Sequence, residues 1–177
     1  MSDQETPSLE SLVAILESKG GAPQSADLEN FARAISKMFD VNMDEVAILQ
    51  VVARHKSLKF VLPEKLSMVG SIPLSSTTAL AARTARERRP ELINNFTTSR
   101  HSNVFEAVPL GRDPGDVIQK IMSAPVLEET TALGIVQISR KGRSLSKAGA
   151  DFSPRDLLTL VSLSPTILRF LKLFPPE

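Results

Sequence analysis

Three side-chain types are missing from this chain of 177 residues: cysteine, tryptophan and tyrosine. The lack of cysteine excludes disulfides, thiolate zinc ligands and thiol nucleophiles. The lack of tryptophan and tyrosine removes much of the usual equipment for stacking on bases, and a net charge of +1 is far from the basic excess of a dedicated nucleic-acid binder. Long apolar runs are missing too, since no stretch approaches the ~20 residues needed to cross a bilayer.

The first residues, MSDQETPSLES, have neither the basic region nor the apolar core of a secretory signal. With the absence of cysteine, this predicts a cytoplasmic protein with no membrane partner. The length predicts one domain with a helical appendage. The two histidines, at 55 and 101, have no metal-ligand spacing, so we predict no metal and no cofactor.

Amphipathic helices are predicted at both ends of the chain. Residues 8–18 place four apolar side chains on one face, and a second helix begins near Ser25 or Asp27. Near the other end, Ser153, Pro154 and Asp156 have the pattern of a helix N-cap followed by a capping box. A second Ser-Pro pair at 164–165 is expected to kink or restart this helix.

Between these helices, apolar and β-branched runs predict strands. They lie at residues 45–53, 58–66, 91–96, 116–129 and 132–139. A helix is predicted at residues 75–90, ended by Pro90. Adjacent strands with helices at the chain ends indicate an α+β fold with a mainly antiparallel sheet.

Residues 45–163 resemble the GAF domain, a small sensory module. The resemblance rests on Ala124-Pro125-Val126, on Gly134-Ile135-Val136, and on the later sequence of Lys141, Phe152 and Asp156. The family pattern has Asn before the Lys and Glu after the Asp, whereas this chain has Arg140 and Leu157. These departures argue against a cyclic nucleotide as the ligand.

The resemblance implies a six-stranded, mainly antiparallel sheet with the N- and C-terminal helices on one face and short helices and loops over the other. The expected division is an N-terminal helical segment at 1–43 that packs on the sheet, a GAF-like domain at 44–164 and a helical tail at 165–177. One enzyme of the family, a reductase of free methionine sulfoxide, works through cysteines. Because this chain has none, that activity is excluded and a non-catalytic role is predicted.

Lys141 and Asp156 allow two interpretations. In one, Asp156 only caps its helix and Lys141 is solvated at a strand end. In the other, which the family resemblance favours, the two side chains form a salt bridge sheltered by Phe152, which closes the segment 142–151 as a lid.

The resemblance also places a ligand pocket on the sheet face opposite the terminal helices. Two sets of residues are candidates for it. Apolar side chains would line a cavity, unless they simply fill the core; they are Phe60, Phe96, Phe105, Met122 and Ile138. Polar side chains of one loop would bind an acidic or phosphorylated ligand, unless the loop is ordinary surface; they are Thr98, Ser99, Arg100 and His101.

The terminal helices carry more apolar groups than a free tail would. These side chains either pack together on the sheet or form a homodimer interface, and both can hold at once; they are Leu12, Val13, Leu16, Leu160, Ile167, Phe170 and Leu171. The arginines between Arg83 and Arg89 indicate a solvated helix face or, less in keeping with the charge, a nucleic-acid site. We therefore predict a sensory domain that binds a small molecule or a partner and signals through its terminal helices, with a homodimerisation module as the alternative.

Overall fold

The structure is a computed structural model that describes residues 6–96, 110–113 and 115–175. Within these residues the chain forms five α-helices and six β-strands. The helices are α1 Leu9–Lys19, α2 Ser25–Phe39, α3 Leu80–Glu87, α4 Pro154–Ser162 and α5 Ser164–Leu171. The strands are β1 Val46–Val52, β2 Ser57–Leu62, β3 Ser71–Pro73, β4 Glu91–Ile93, β5 Val117–Glu128 and β6 Thr131–Gly142.

The six strands form one sheet in the order β3-β2-β1-β6-β5-β4, and every neighbouring pair is antiparallel. β1 and β6 lie at the centre, with Ile48 opposite Val136. β5 and β6 form a long hairpin that turns at Glu129, whose φ of 53° lies in the left-handed region. The predicted α+β fold with an antiparallel six-stranded sheet is confirmed.

The sheet is covered on both faces. We call the face under α1, α2, α4 and α5 the helix face, and the face under α3 the cleft face. On the helix face, the rings of Phe31 and Phe170 stack with centroids 3.9 Å apart above buried strand side chains that include Ile48 and Met122. On the cleft face, the alanines of α3 pack against Leu49 and Ile135.

Gly134 lets α5 lie close to the centre of the sheet. A Cβ at this position would lie 2.7 Å from the carbonyl oxygen of Leu49 and would run into Cδ1 of Leu171. Neither can move away cheaply, because one is backbone and the other is buried. The glycine therefore fixes how closely the C-terminal helix can approach.

The helix ends follow local sequence signals. Ser8 caps α1 through a hydrogen bond from the amide of Ser11. At α4 the capping box is present: the Ser153 hydroxyl accepts from the Asp156 amide at 3.1 Å, and the Asp156 carboxylate accepts from the Ser153 amide at 2.7 Å. The chain restarts as a separate helix at Ser164.

Two elements differ from the sequence-based expectation. The helix predicted at residues 75–90 begins only at Leu80, because the preceding residues form a turn in which the Ser76 hydroxyl accepts from the Ala79 amide. Before that turn lies β3, an edge strand that pairs with residues 57–59 of β2. Three residues ending in proline are too short a run for a strand prediction, and proline is tolerated there because the strand is at the edge.

The apolar side chains of the terminal helices form the core and are not available for a homodimer interface. Of the seven predicted interface residues, six are buried and Leu12 is partly buried against the same core. The large apolar side chains that α1, α2, α4 and α5 do expose are Ile15, Met38, Leu158 and Val161. Among the described helices, none is both long enough and apolar enough to span a membrane.

Candidate functional site

An open, mostly apolar cleft lies on the cleft face of the sheet. Its volume is 180 Å³, its floor is formed by β2, β5 and β6, and its wall is the segment 71–81. The described residues that line it are Phe60, Ser71, Ile72, Pro73, Ser76, Thr78, Ala79, Leu80, Ala81, Phe96, Ile118, Ile121 and Gln137. None of these side chains is charged. The part of the cleft that the structure describes therefore offers apolar contact with a few hydroxyl and amide groups.

The wall of the cleft is held in place by Arg86 of α3. Its guanidinium donates to the carbonyl oxygens of Leu74 at 2.5 Å and Ser76 at 2.7 Å. Hydrogen bonds from a charged donor to two carbonyls of one turn fix that turn relative to the helix. α3 itself lies close on the sheet because Ala81, Ala82 and Ala85 are small.

A chain of hydrogen bonds runs from the cleft into the core. The Gln137 amide nitrogen lies 3.1 Å from the Ser123 hydroxyl, which lies 2.7 Å from the Thr84 hydroxyl. Thr84 donates to the carbonyl oxygen of Leu80 at 2.9 Å. Ser123 and Thr84 are fully buried, whereas Gln137 lines the cleft. We call Gln137, Ser123 and Thr84 the hydroxyl relay.

The structure separates the predicted apolar ligand-binding residues. Phe60 and Phe96 line the cleft. Met122 and Ile138 do not, because they point to the helix face and are fully buried in its core. Their placement in the pocket was wrong by one residue in each strand. The polar candidates Thr98, Ser99, Arg100 and His101, together with Phe105, lie outside the described residues.

The neighbours of the two misplaced residues, Ile121 and Gln137, occupy the cleft face instead. They were missed because β5 and β6 are buried on both faces, so apolar side chains do not alternate with polar ones. One signal was available in the sequence. A serine at 123 inside an otherwise apolar strand needs a hydrogen-bond partner when buried, and its partners are the other members of the hydroxyl relay.

Lys141 and Asp156 do not form the predicted salt bridge. The Lys141 ammonium instead contacts the Asp44 carboxylate at 3.4 Å and donates to the Asp44 carbonyl at 3.1 Å. The Asp156 carboxylate caps the N-terminus of its own helix, where it accepts a hydrogen bond from the Ser153 amide. The structure supports the interpretation in which Asp156 only caps its helix, but Lys141 is not solvated as that interpretation expected, because its side chain is 14% exposed and paired with Asp44.

Other residues hold the segment between β6 and α4. We call residues 143–151 the arm. The buried ammonium of Lys120 contacts the Asp151 carboxylate at 2.8 Å and the Gly149 carbonyl at 2.6 Å. Arg140 donates to the Ala150 carbonyl at 2.6 Å and lies 4.6 Å from the ring centroid of Phe152. The cations that fix the arm thus come from the neighbouring positions on β5 and β6.

Lys141 belongs to a charged cluster, which we call the clamp, with Asp44, Glu45 and Arg112. Arg112 binds the Asp44 carboxylate through two nitrogens, at 2.7 and 3.0 Å. The buried carboxylate of Glu45 accepts from the Lys141 amide at 2.6 Å. The clamp therefore ties residues 110–113 to the start of β1 and the end of β6.

The clamp holds Asp44 in its ionised form. Burial by itself would raise the pKa of the Asp44 carboxyl, but the hydrogen bond from Arg112 and the charges of Lys141 and Arg112 outweigh burial and leave that pKa below its ordinary value. The hydrogen bond to Asp44 likewise raises the pKa of Arg112. Asp44 and Arg112 each stabilise the charged form of the other. The strength of the clamp therefore depends on pH through the ionisation of Asp44.

The arginines of α3, and the two that directly follow it, are engaged within the chain. Arg83 forms a two-pronged pair with Glu91 at 2.8 Å, and Arg88 donates to the Thr130 carbonyl at 2.9 Å. Arg89 pairs with Glu87, and Arg86 holds the cleft wall. These contacts give each arginine a structural role, so the structure offers no support for a nucleic-acid site on this helix.

The sequence matches no protein-family model and no curated protein. Solved structures do resemble it. The GAF domain of an Acinetobacter phosphoenolpyruvate-protein phosphotransferase is 19% identical, with a TM-score of 0.62 over 97% of this chain and 95% of that one. A free methionine-R-sulfoxide reductase from Neisseria meningitidis, in complex with its substrate, is 17% identical, with a TM-score of 0.60 over 92% and 83%.

A third neighbour belongs to a chemotaxis protein. A segment of a methyl-accepting chemotaxis protein is 16% identical, with a TM-score of 0.60 over 93% of this chain and 98% of that one. At identities this low the likeness concerns the fold. The chain has a GAF-like fold, as the sequence resemblance predicted.

Proposed function

We propose that this chain is a non-catalytic sensory or regulatory domain, which binds a small molecule in the cleft and transmits binding to its terminal helices. The observation that carries the proposal is the cleft itself. It is open, mostly apolar and built on a rigid sheet, with a wall fixed by Arg86. Such a concave apolar site with a few polar groups is the usual form of a small-molecule site.

Comparison with known structures supports the proposal in one respect. The neighbours include a domain of a chemotaxis protein and a reductase in complex with its substrate, so this fold serves proteins that respond to or bind small molecules. A non-catalytic role is preferred because the described cleft residues offer no charged side chain for acid-base chemistry and the chain has no cysteine. Turnover of free methionine sulfoxide by the purified protein would contradict this part of the proposal.

The route from the cleft to the terminal helices is short. Ile121 lines the cleft, while the next residue, Met122, is buried against the helices on the other face. Gln137 and Ile138 are related in the same way on β6. A ligand that shifts β5 or β6 therefore changes the packing under α4 and α5. Binding acts by favouring the conformation whose cleft fits the ligand better.

The test is a thermal-shift screen of neutral small molecules followed by titration of each hit. We expect a saturable rise in melting temperature, as required for a ligand that binds only the folded state. Ala79→Leu, which adds bulk to the cleft, should abolish the rise. Ala26→Leu, at an exposed position of α2 on the other side of the sheet, is the matched control and should retain it. Hits that bind both variants equally would place the ligand elsewhere.

A second candidate function is homodimerisation through the terminal helices. It is favoured by the exposure of Leu158 at 70% and Ile15 at 58% on these helices. Sedimentation velocity over a range of concentrations tests it. A dimer that dissociates in Leu158→Glu would support this function, and a monomer at all concentrations would remove it.

A further inference from the structure

The hydroxyl relay fixes the orientation of the Gln137 amide, whose side chain lines the cleft. The Leu80 carbonyl can only accept, so the Thr84 hydroxyl must donate its single hydrogen there. Thr84 then has no hydrogen for Ser123, and the 2.7 Å contact between these hydroxyls requires Ser123 to donate.

Counting the hydroxyl hydrogens in the same way determines how the Gln137 amide is oriented. Ser123 has used its hydrogen, so it can only accept from Gln137, which must present its NH₂ group at 3.1 Å. The carbonyl oxygen, Oε1, is left on the other side of the amide. Among the described residues it receives no hydrogen bond from the protein. The relay therefore gives Gln137 a fixed acceptor, Oε1, and commits one of the two N–H groups of its amide to Ser123.

We propose that the cleft selects a compact, neutral ligand with an apolar body and one N–H or O–H group directed at Gln137 Oε1. This rests on the proposed function of the cleft as a ligand site. Charged ligands are disfavoured because none of the described cleft residues is charged. The volume of 180 Å³ suits a ligand of about one aromatic ring, since a cavity of about 150 Å³ is enough for benzene.

In this proposal Gln137 is the residue that determines specificity, and Ser123 and Thr84 are positioning residues. An analogue without a donor would leave the amide oxygen desolvated and unpaired. The expected penalty is roughly a 10- to 100-fold loss of affinity. Ser123→Ala should remove most of this discrimination although Gln137 is still present, because its amide is then free to turn.

Thr84→Val is the sharpest variant. It keeps the shape of the side chain but removes the acceptor for Ser123, which can then donate to Gln137 Oε1 and turn the amide. The NH₂ group would face the cleft, and preference for a donor ligand should be lost or reversed. Thr159→Val is the matched control, because Thr159 makes the same hydroxyl bond to the carbonyl four residues back, Arg155, at an exposed site on α4.

The experiment uses phenol, which carries a donor, and anisole, which carries only an acceptor. Both are titrated into isotope-labelled full-length protein, and dissociation constants are obtained from chemical-shift changes at Phe60, Ile72 and Ile121. In the wild type and in Thr159→Val, phenol should bind roughly 10- to 100-fold tighter than anisole. In Thr84→Val and Ser123→Ala the ratio should approach or fall below one, with folding checked by circular dichroism.

The outcomes are distinguishable. Equal affinities in the wild type, or an equal loss for both probes in the relay variants, would overturn the inference and leave the cleft as a ligand site. If neither probe shifts the cleft resonances, this inference fails, and the thermal-shift screen decides separately whether the proposed function fails with it.

Discussion

At the scale of single residues, the charge of Asp44 contributes to stability because its carboxylate is largely buried between two cations. Its side chain is only 14% exposed, and two cations contact it. Its pKa in the folded protein lies below the ordinary value. The ionised form therefore stabilises the folded state above the pKa of the unfolded chain, and this contribution is lost as pH falls through the lower folded pKa.

We predict that Asp44→Asn lowers the free energy of unfolding by about 2 kcal/mol at pH 7. The difference from the wild type should shrink below about pH 4, where the Asp44 carboxylate of the unfolded chain takes up a proton before that of the folded protein does. Urea unfolding followed by circular dichroism between pH 3 and pH 7 measures both. A difference that does not change with pH would contradict the prediction.

Asp113→Asn is the control for Asp44. Asp113 also pairs with an arginine, Arg143, at 2.6 Å, but the two side chains are 51% and 67% exposed. The Gly115 amide and Arg143 lower the pKa of Asp113 as well, but solvent screening weakens these contacts, so this variant should lose much less stability than Asp44→Asn at pH 7. If Asp113→Asn lowers the free energy of unfolding as much as Asp44→Asn does, burial is not the reason that the clamp stabilises the fold.

The sequence placed Met122 and Ile138 on the wrong face of the sheet, and the reason lies in single residues of β5 and β6. The sequence shows that residues 116–129 form a strand, because β-branched and apolar residues dominate. It does not show which face each side chain takes, since both faces are covered and residues 120–126 are all buried. Only partners far apart in sequence, such as Ser123 and Thr84, distinguish the two faces.

At the scale of elements, prediction was best where signals are local. The capping box at Ser153 and the restart at Ser164 depend on residues a few positions apart, and both are present. The pairing of Lys141 was wrong because it depends on tertiary contact. Its partner, Asp44, is 97 residues away and precedes the first strand. Motif spacing within 141–156 carries no information about that partner.

The contacts of Lys120 with the arm predict how fast the amides of the arm exchange with solvent. Lys120→Met should expose the arm to solvent, because it removes contacts to the Gly149 carbonyl and the Asp151 carboxylate. We expect roughly 10-fold faster hydrogen exchange at the amides of Lys147 and Ala148. Lys141→Met is the comparison, and there exchange should instead increase around Asp44. Faster exchange of the arm in Lys141→Met alone would restore the predicted salt bridge.

At the scale of the whole molecule, the N-terminal and C-terminal helices pack against each other on the helix face of the sheet. Phe31 of α2 stacks on Phe170 of α5, and both lie on buried residues of β1, β5 and β6. The expected segments 1–43, 44–164 and 165–177 thus contribute side chains to one core. A shared core predicts that these segments unfold together, because the loss of any one of them exposes apolar side chains of the others.

Native-state hydrogen exchange in low denaturant tests this unity. Amides in α2, β6 and α5 should share one opening free energy, equal to that of global unfolding. Phe31→Ala should lower it by about 3–5 kcal/mol in all three elements, because the cavity left under Phe170 destabilises the common core. If only α2 loses protection, the N-terminal helices are a separate unit. Transmission from the cleft would then have to run through α4 and α5 alone.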